Sequence, residues 1–394
     1  MKFLIVPIDK SSISFCYYEN PYSGIDPEPI SLSTLKIAID YAQANGLTIN
    51  FLYGQMDPPL PYRSIIESVS HAKIVPLALA NVYPESIVVI ESGEIKQVTG
   101  ISLGPDRNLI VRIDKDRLPQ LAKTLPLLFG AFHRLNLCIT GLERITETEL
   151  DLYSQQLLML AETVADRYRR GDIFELNFLS DRLILNNMKN CEAGCEHLTV
   201  GSDGRLYLCP AFLYDNPDIS VGDLTDGIHI PNADLLQLDH APLCSLCDAY
   251  HCKRCIYLNK KLTLEINTPS RQQCVASHKE RNASEKLFTL LQDLPAFTAM
   301  KKIPAIDYND PFILLQQMRN APSANRDVKE ESTFMKSSNP EIEINDPRLK
   351  PRSTAETTGF ESVEPGDQSI KEILFRICKM QEEILELLRK EHIH

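Results

Sequence analysis

The sequence predicts an α/β fold with a parallel sheet, followed by a small cysteine-rich extension. Apolar runs of strand character alternate with amphipathic helical segments through residues 1–180, and this alternation is typical of parallel βαβ units. Eight of the eleven cysteines then fall within residues 191–274. Beyond residue 285 the chain becomes polar and acidic. The residues alone leave two arrangements for the sheet, an open sheet or a partial barrel.

The predicted strands are short runs rich in apolar and β-branched residues. The first begins at Phe3, close to the start of the sequence, and ends where the chain turns polar. The strands are predicted over residues 3–8, 47–53, 73–79, 86–90, 108–114, 135–140 and 174–179.

Helices are predicted between these strands. In residues 31–46 the apolar side chains recur at helical spacing, and Gly46 follows at a position that suits a C-terminal cap. The other helices are predicted over residues 64–71, 118–134 and 146–170. Together the elements form about six strand–helix units.

Length and charge restrict the function classes. The chain of 394 residues is long enough for two domains and a tail. Its net charge of −12 argues against nucleic acid as the main partner. No run of about 18 apolar residues is present, and the apolar N-terminal run is too short for a signal peptide. We therefore expect a cytoplasmic protein without a membrane partner.

The eight clustered cysteines are two sets of four, and four thiolates satisfy one zinc ion or one 4Fe–4S cluster. Residues Ser202–Gly204 predict a tight hairpin that carries Cys209 back toward Cys191 and Cys195. The later group, residues 244–255, has a middle gap of four residues, whereas a zinc ribbon separates its pairs by about 15–20. Iron–sulfur, zinc and plain buried thiols or disulfides all remain open at this point.

This stretch resembles the SPASM domain, the C-terminal extension of radical SAM enzymes that mature peptides and proteins. The resemblance is carried by Cys191, by Gly204-x4-Cys209, by the tight four-cysteine group and by the segment 221–224. It implies two auxiliary 4Fe–4S clusters, with zinc as the alternative. One cluster would use Cys191, Cys195, Cys209 and Cys255, and the other would use Cys244, Cys247, Cys252 and Cys274. The gaps within the tight group are shorter than the family's usual pattern.

The front half departs from the radical SAM pattern that this extension accompanies. Those enzymes hold a cluster on Cys-x3-Cys-x2-Cys just after the first strand. Here only Cys16 is present, with Asn20 and Ser23 at the other two positions. One thiolate cannot hold that cluster, so we expect S-adenosylmethionine not to be cleaved by this chain alone.

The whole arrangement resembles the CXXX repeat peptide maturases. The resemblance covers residues 1–285 and rests on Ser14–Pro21, on Asn177–Leu183 and on the eight cysteines. It implies a partial (βα)6 TIM-like barrel related to radical SAM enzymes. It also implies maturation of a ribosomally made peptide with cysteine at every fourth position, together with a true radical SAM partner enzyme.

Four segments are therefore expected. They are a degenerate barrel over residues 1–188, a SPASM-like domain over 189–285, an acidic linker over 286–368 and a helix over 369–394. Within 369–390 the apolar residues repeat as in a coiled coil, which predicts a partner helix or a homodimer.

Individual residues carry the remaining predictions. Cys16 is the candidate catalytic residue, as a nucleophile or a thiol that exchanges with substrate cysteine, and otherwise it is simply buried. A catalytic Cys16 would make the protein a stand-alone thiol enzyme, which is one alternative function. The other alternative is a zinc-stabilised peptide-binding adaptor. Cys138 is predicted in the core, and His251 beside the cluster or on the surface. Asp181 and Arg182 are expected to form an ion pair that joins barrel and extension.

Overall fold

The computed structural model describes residues 1–24, 28–98, 107–130, 132–188, 191–298 and 303. All of them belong to one compact unit, and a second unit, Asn309–Glu382, lies outside the described residues. The predicted helix 369–390, with Cys378, and all but the first part of the predicted linker also lie outside the described residues.

A mixed α/β fold with a large, mostly parallel sheet is confirmed. The sheet has nine strands, among the described residues, in the order β7-β6-β5-β4-β3-β2-β1-β8-β9. Every neighbouring pair is parallel except the hairpin β8–β9. The strands are β1 Phe3–Pro7, β2 Thr48–Leu52, β3 His71–Pro76, β4 Ile87–Glu91, β5 Asn108–Asp114, β6 Arg134–Thr140, β7 Glu175–Leu176, β8 His197–Val200 and β9 Leu206–Tyr207, with a separate pair, β10 Gly222–Asp223 and β11 Gly227–Ile228.

Helices cover one face of the sheet. They are α1 Leu32–Ala44, α2 Leu60–Ile66, α3 Ile95–Val98, α4 Leu121–Thr124, α5 Glu147–Arg169, α6 Asp181–Ile184, α7 Pro210–Asp215, α8 Ile256–Thr263, α9 Arg271–Leu290 and α10 Pro295–Thr298. The long α5 begins at a capping box formed by Thr146 and Glu149, as predicted for that region. No described helix combines the length and apolarity needed to cross a membrane.

Both faces of the sheet carry apolar side chains, because side chains alternate between the faces along each strand. One face joins the main core with the helices, through residues such as Leu4, Val111 and Leu137. The other face holds a smaller core of Ile5, Ile13, Leu52, Ile74, Val89 and Ile110.

Two predicted helices are wrong in extent. The region predicted as one helix over 118–134 is a series of short 3-10 and α turns that ends at Leu128. Pro119 and Pro126 interrupt it, because proline lacks the N–H that a continuing helix needs. The helix predicted over 64–71 begins earlier, at Leu60, and His71 already belongs to β3.

The cysteine-rich extension is attached to the rest of the fold in two places. Strand β8 pairs in parallel with β1, so the predicted hairpin lengthens the main sheet. Helix α9, which the sequence analysis did not identify, packs along α5. Ion pairs join the two helices at Arg271–Glu147, Lys279–Asp151 and Lys286–Glu162.

Two glycines shape the extension where other residues would not fit. Gly204 has a φ of +83° and turns the β8–β9 hairpin. Gly222 has a φ of +136°, and a Cβ there would collide with the carbonyl oxygen of Gly227 across the β10–β11 pair. Both glycines belong to the pattern on which the resemblance rests.

Candidate functional site

Three cysteines of the first predicted quartet come together. Cys191 precedes β8, Cys209 is the N-cap of α7 and Cys255 is the N-cap of α8. Burial raises the pKa of Cys191 to about 11, with a further rise from Cys16. Burial also raises the pKa of Cys255, followed by the effects of Cys16, Cys191 and Cys209. The three thiols and Cys16 therefore lie within electrostatic range of one another.

Backbone N–H groups point at these sulfur atoms. Ala193 donates to Cys191, Ala211 and Phe212 donate to Cys209, and Leu258 donates to Cys255. Two of the acceptors sit at helix N-termini, where the helix dipole favours negative charge. These N–H groups favour the thiolate, which is the form that binds a metal, but burial outweighs them and raises the pKa of all three thiols.

Cys195, the fourth predicted member, is in a different environment. It is half-buried, and its charged neighbours are Glu192, Arg254, Glu196 and the N-terminal amine. Glu192 takes a left-handed backbone conformation, with a φ of 50°, in the loop between Cys191 and Cys195. The structure thus places three members of this quartet within electrostatic range of one another and of Cys16.

The second predicted quartet lines one small cavity. Its lining contains all four thiols, Cys244, Cys247, Cys252 and Cys274, together with Met188, Leu243, Ala249, Pro269, Gln273, Ser277 and His278. Several of these residues form a small apolar core of their own, separate from the main one. The cavity is therefore enclosed largely by thiols and apolar side chains.

A few polar groups face the sulfur atoms of this cavity. The Nε2 atom of His278 lies 3.6 Å from Sγ of Cys247, and the backbone N–H of Arg254 donates to Sγ of Cys252 at 3.4 Å. The Gln273 side chain is buried, and its amide oxygen and nitrogen have no hydrogen-bond partner among the described residues. A buried amide without a partner is costly, and a sulfur-rich group in the cavity would accept from it.

Burial keeps these thiols protonated in the absence of a cation. It raises the pKa of Cys244 to about 12 and that of Cys247 to about 11. Metal binding to such a site would release protons, because only the thiolate is a ligand.

No group of three or more His, Cys, Asp or Glu side chains within the described ranges is arranged to hold a metal ion. The donor set nevertheless suits an iron–sulfur group, since four thiols line one apolar cavity and backbone N–H groups face the other thiols. The identity of any bound group stays a prediction.

The loop after β1 is built around an asparagine. The Nδ2 atom of Asn20 donates to the carbonyls of Lys10 and Ser12, at 2.9 and 2.7 Å, and its Oδ1 accepts from Tyr22 N at 2.9 Å. Its backbone N–H donates to the Ser14 hydroxyl. Asn20 therefore fixes the loop through hydrogen bonds at a position where a radical SAM cluster would require a thiolate.

Cys16 is held in this loop by Arg112 of β5. The Arg112 guanidinium donates to the carbonyl oxygens of Cys16 at 3.2 Å and Tyr18 at 3.0 Å, and it pairs with Glu91 and Glu19. Arg112 is buried, so it fixes the loop firmly onto the sheet. Cys138 of β6 is the register partner of Arg112 and therefore lies on the same face of the sheet.

The thiols of Cys16 and Cys138 affect each other's ionisation. The Cys138 S–H group lowers the pKa of Cys16, and Lys253 and Arg112 lower it further against the effect of burial. The pKa of Cys138 moves the other way, because burial and the neighbouring Cys16 disfavour a second negative charge. Cys16 is therefore the thiol of the pair that ionises first.

Cys16 should react with iodoacetamide at lower pH than an ordinary cysteine. Because its thiolate is stabilised, we expect the alkylation rate at Cys16 to reach half of its plateau below pH about 8.5, the usual cysteine pKa. Peptide mapping by mass spectrometry across a range of pH gives this midpoint for Cys16 specifically. Replacing Cys138 by alanine should shift the midpoint upward, and a midpoint at or above about 8.5 in the unmodified protein would contradict the assignment.

A polar cleft lies between β6 and α9. It is lined by residues of β6, of α9 and of the 251–253 loop, together with Tyr17 and Asn177. The Nε2 atom of His251 contacts the Ser277 carbonyl at 3.1 Å and Glu280 at 3.2 Å, whereas its Nδ1 finds no hydrogen-bond partner in the described part of the chain. His251 is thus a buried residue of the cleft. The sequence analysis predicted His251 either on the surface or beside a cluster.

The predicted ion pair between Asp181 and Arg182 is wrong in its partners. Asp181 pairs with Arg134 of β6 at 2.6 Å. Arg182 crosses into the extension, where it contacts Asp248 at 2.8 Å and Glu285 at 3.0 Å. Adjacent side chains point in different directions in the short helix α6, so Asp181 contacts the sheet and Arg182 contacts the extension. Arg182 therefore joins the two parts of the fold, which is the role that was predicted for the pair.

Comparisons with known proteins show a shared fold. No family model matches the sequence, and no curated protein matches it. A solved structure of a hexahistidine-tagged protein, anSMEcpe with bound AdoMet, is similar with a TM-score of 0.50 and 11% sequence identity. The similarity covers 75% of this chain and 98% of that one. That protein is an anaerobic sulfatase-maturating enzyme of the radical SAM/SPASM class, and identity at this level shows the shared fold alone.

Proposed function

We propose that this protein matures a ribosomally made, cysteine-repeat peptide, carries two auxiliary 4Fe–4S clusters and acts with a separate radical SAM enzyme. The observation that carries the proposal is the contrast between the two halves of the chain. Two groups of buried and half-buried thiols lie in the extension, while the loop after β1 offers Cys16 alone and is closed by Asn20. The fold shared with a radical SAM/SPASM maturase supports the same reading.

The extension supplies the residues that would hold the clusters. Cys244, Cys247, Cys252 and Cys274 would hold one of them, and Cys191, Cys195, Cys209 and Cys255 are proposed for the other. A bound cluster of this type supplies one-electron transfer or a structural cross-link. The chain itself supplies thiolate stabilisation from backbone N–H groups and a largely apolar enclosure for the second quartet.

The cleft is the proposed place for the peptide. It lies between β6 and α9, and it offers the side chains of Tyr17, His251, Lys253 and Glu280 to a bound chain. Glu280 is itself held by the Tyr153 hydroxyl at 2.6 Å and by His251, so the lining is preorganised. The cleft would hold the peptide against Tyr17 while the partner enzyme carries out radical chemistry.

Zinc is the alternative occupant, because four thiolates are also the ligand set of a structural zinc site. The four thiols that line the cavity suit either group.

Metal analysis of anaerobically purified protein tests the proposal. We expect about eight irons and a similar amount of acid-labile sulfide per chain, since each of two clusters holds four irons. The sample should be brown, with sulfide-to-iron absorption in the visible range. Incubation with S-adenosylmethionine and dithionite should give no 5′-deoxyadenosine above the level of a protein-free control.

Two outcomes would contradict the proposal. A colourless protein that binds two zinc ions would remove the electron-transfer function and leave the zinc-stabilised adaptor. Formation of 5′-deoxyadenosine by this chain alone would show that it is a radical SAM enzyme in its own right.

A further inference from the structure

The cavity of the second quartet (the thiol cavity) and the polar cleft share part of their lining. Cys252, Gln273 and Ser277 belong to the lining of both. These three residues therefore form a wall between the two spaces. Since Cys252 is also one of the proposed ligands of the second quartet, a group bound there would lie directly behind the cleft.

Most of this wall comes from the start of α9. The helix begins after Ser270, whose hydroxyl accepts from the backbone N–H of Gln273 at 3.2 Å. Gln273 and Ser277 are one helical turn apart, so they lie on the same face of the helix, and both are buried. Three ion pairs with α5 fix the position of α9. The wall is thus carried by a rigid element.

The Gln273 side chain brings unsatisfied hydrogen-bonding groups to this wall. The residue is 3% exposed, and neither Nε2 nor Oε1 of its amide has a hydrogen-bond partner among the described residues. Buried amides in proteins nearly always have partners. A methionine of similar size would fill the same space without an unpaired polar atom. The unpartnered amide therefore indicates that its partners are molecules that occupy the two spaces.

The chemistry of the two spaces assigns the two ends of the amide. A primary amide donates through its nitrogen and accepts through its oxygen. The thiol cavity is lined by sulfur atoms and apolar side chains, and metal-bound sulfur accepts hydrogen bonds, so Nε2 is the end that suits it. The polar cleft suits Oε1, which can accept from the backbone N–H of a bound peptide. Because no described residue holds either atom, the amide can take this orientation without breaking a hydrogen bond.

We propose that Gln273 couples the group held by the second quartet to the peptide in the cleft. Its Nε2 donates to a sulfur atom of that group, and its Oε1 accepts from a peptide N–H. Gln273 is a positioning residue, since it acts only through these two hydrogen bonds. The inference rests on the proposed function for the identity of both ligands, and it adds that the second quartet, not the first, responds to the peptide.

The sign of the coupling follows from the polarisation of linked hydrogen bonds. A peptide N–H bound at Oε1 makes the Nε2 hydrogens of Gln273 better donors. Hydrogen bonds to sulfur stabilise the more negative, reduced form of an iron–sulfur cluster. Bound peptide should therefore raise the reduction potential at the second quartet, and by reciprocity reduction should tighten peptide binding. None of the four thiols of the first quartet, all of which are described, lines the cleft.

The preceding residue of α9 provides a matched control. Gln272 is half-buried and lines neither the thiol cavity nor the cleft. Adjacent residues of a helix face different directions. Gln273→Met and Gln272→Met therefore make the same chemical change at neighbouring positions, and only the first removes the proposed hydrogen bonds.

The test is a redox titration of the full, anaerobically purified, iron-loaded chain, followed by electron paramagnetic resonance. The Cys244→Ser variant identifies the signal of the second quartet by its loss. We expect Gln273→Met to lower the reduction potential of that signal and to leave the other signal unchanged. Gln272→Met should change neither. Iron analysis and circular dichroism check that each variant keeps its iron and its fold, so a purely structural effect is recognised.

Addition of a peptide tests the other half of the coupling and needs no variant. The probe is a synthetic peptide of several Cys-x-x-x units, together with a version that has serine in place of each cysteine. Both peptides should raise the potential of the second-quartet signal in the unmodified protein. Gln273→Met should bind them about three- to tenfold more weakly, as expected for one lost hydrogen bond, and should show no peptide-dependent shift.

Three results would overturn this inference and leave the proposed function standing. They are equal potentials in Gln273→Met and Gln272→Met, a peptide-dependent shift that persists in Gln273→Met, and a shift seen only with the cysteine peptide, which would show direct binding of its thiols to iron. A protein without iron, or one that binds neither peptide, would overturn the proposed function and this inference with it.

Discussion

Replacing Arg182 by alanine is expected to lower the free energy of unfolding by about 3–5 kcal/mol. The Arg182 side chain is 4% exposed and makes three contacts in the extension. Its Nε and Nη2 atoms donate to the carbonyl and carboxylate of Asp248, at 3.0 and 2.8 Å, and its Nη1 donates to Glu285 at 3.0 Å. Truncation would leave the buried Asp248 carboxylate without its main partner. Arg281, at 3.2 Å from Asp248, should moderate the loss toward the lower end of that range.

The effect should appear first in the extension. Asp248 lies between Cys247 and Cys252, so loss of Arg182 would release the loop that encloses the second quartet. Urea unfolding followed by circular dichroism gives the overall change. Tyrosine fluorescence is a second probe, because the chain has 14 tyrosines and no tryptophan. Hydrogen exchange shows whether the extension opens before the sheet.

Two further variants control this measurement. Arg205→Ala removes a half-exposed pair with Asp203 in the β8–β9 hairpin and should leave the unfolding midpoint unchanged. The double substitution Arg182→Met with Asp248→Leu removes both charges and should recover part of the stability that Arg182→Ala loses. If Arg182→Ala and Arg205→Ala behave alike, Arg182 does not join the two parts of the fold.

Replacing Cys244 by serine is expected to remove about half of the bound iron, from about eight atoms per chain to about four. The reason is that the four thiols around one cavity form a site separate from Cys191, Cys209 and Cys255. Cys209→Ser should remove the other half, and the double variant should bind almost no iron. Iron and sulfide analysis, with visible absorption, measures each case.

The iron content of these variants also tests which thiols belong to which of the two sites. Cys378→Ser should keep the full iron content and serves as the control. Loss of all iron in either single variant would mean that the two sites form only together. If Cys195→Ser keeps all of its iron, the first quartet proposed here has the wrong fourth member.

Much of the front half could be predicted from local patterns. The apolar run over 108–114 coincides with β5, and Thr146 marks the start of α5 through its capping box. These features depend on neighbouring residues alone. The single helix predicted over 118–134 was wrong. The sequence contained the evidence against it, because Pro119 and Pro126 lie inside that range and proline interrupts a helix. Helix α9 was missed because its buried face consists largely of small and polar residues such as Ala276 and Ser284, so its apolar periodicity is weak.

The sequence by itself determined the alternation of strands and helices, the cysteine count, the glycine turn at Gly204 and the single thiol of the loop after β1, because each is a property of nearby residues. Only the tertiary structure decided which thiols meet. The parallel pairing of β8 with β1, the contact of Arg182 with Asp248 and the hydrogen bond from Arg112 to the Cys16 carbonyl join residues from distant parts of the chain. Such contacts form because the whole core must be buried together, and no local pattern records them.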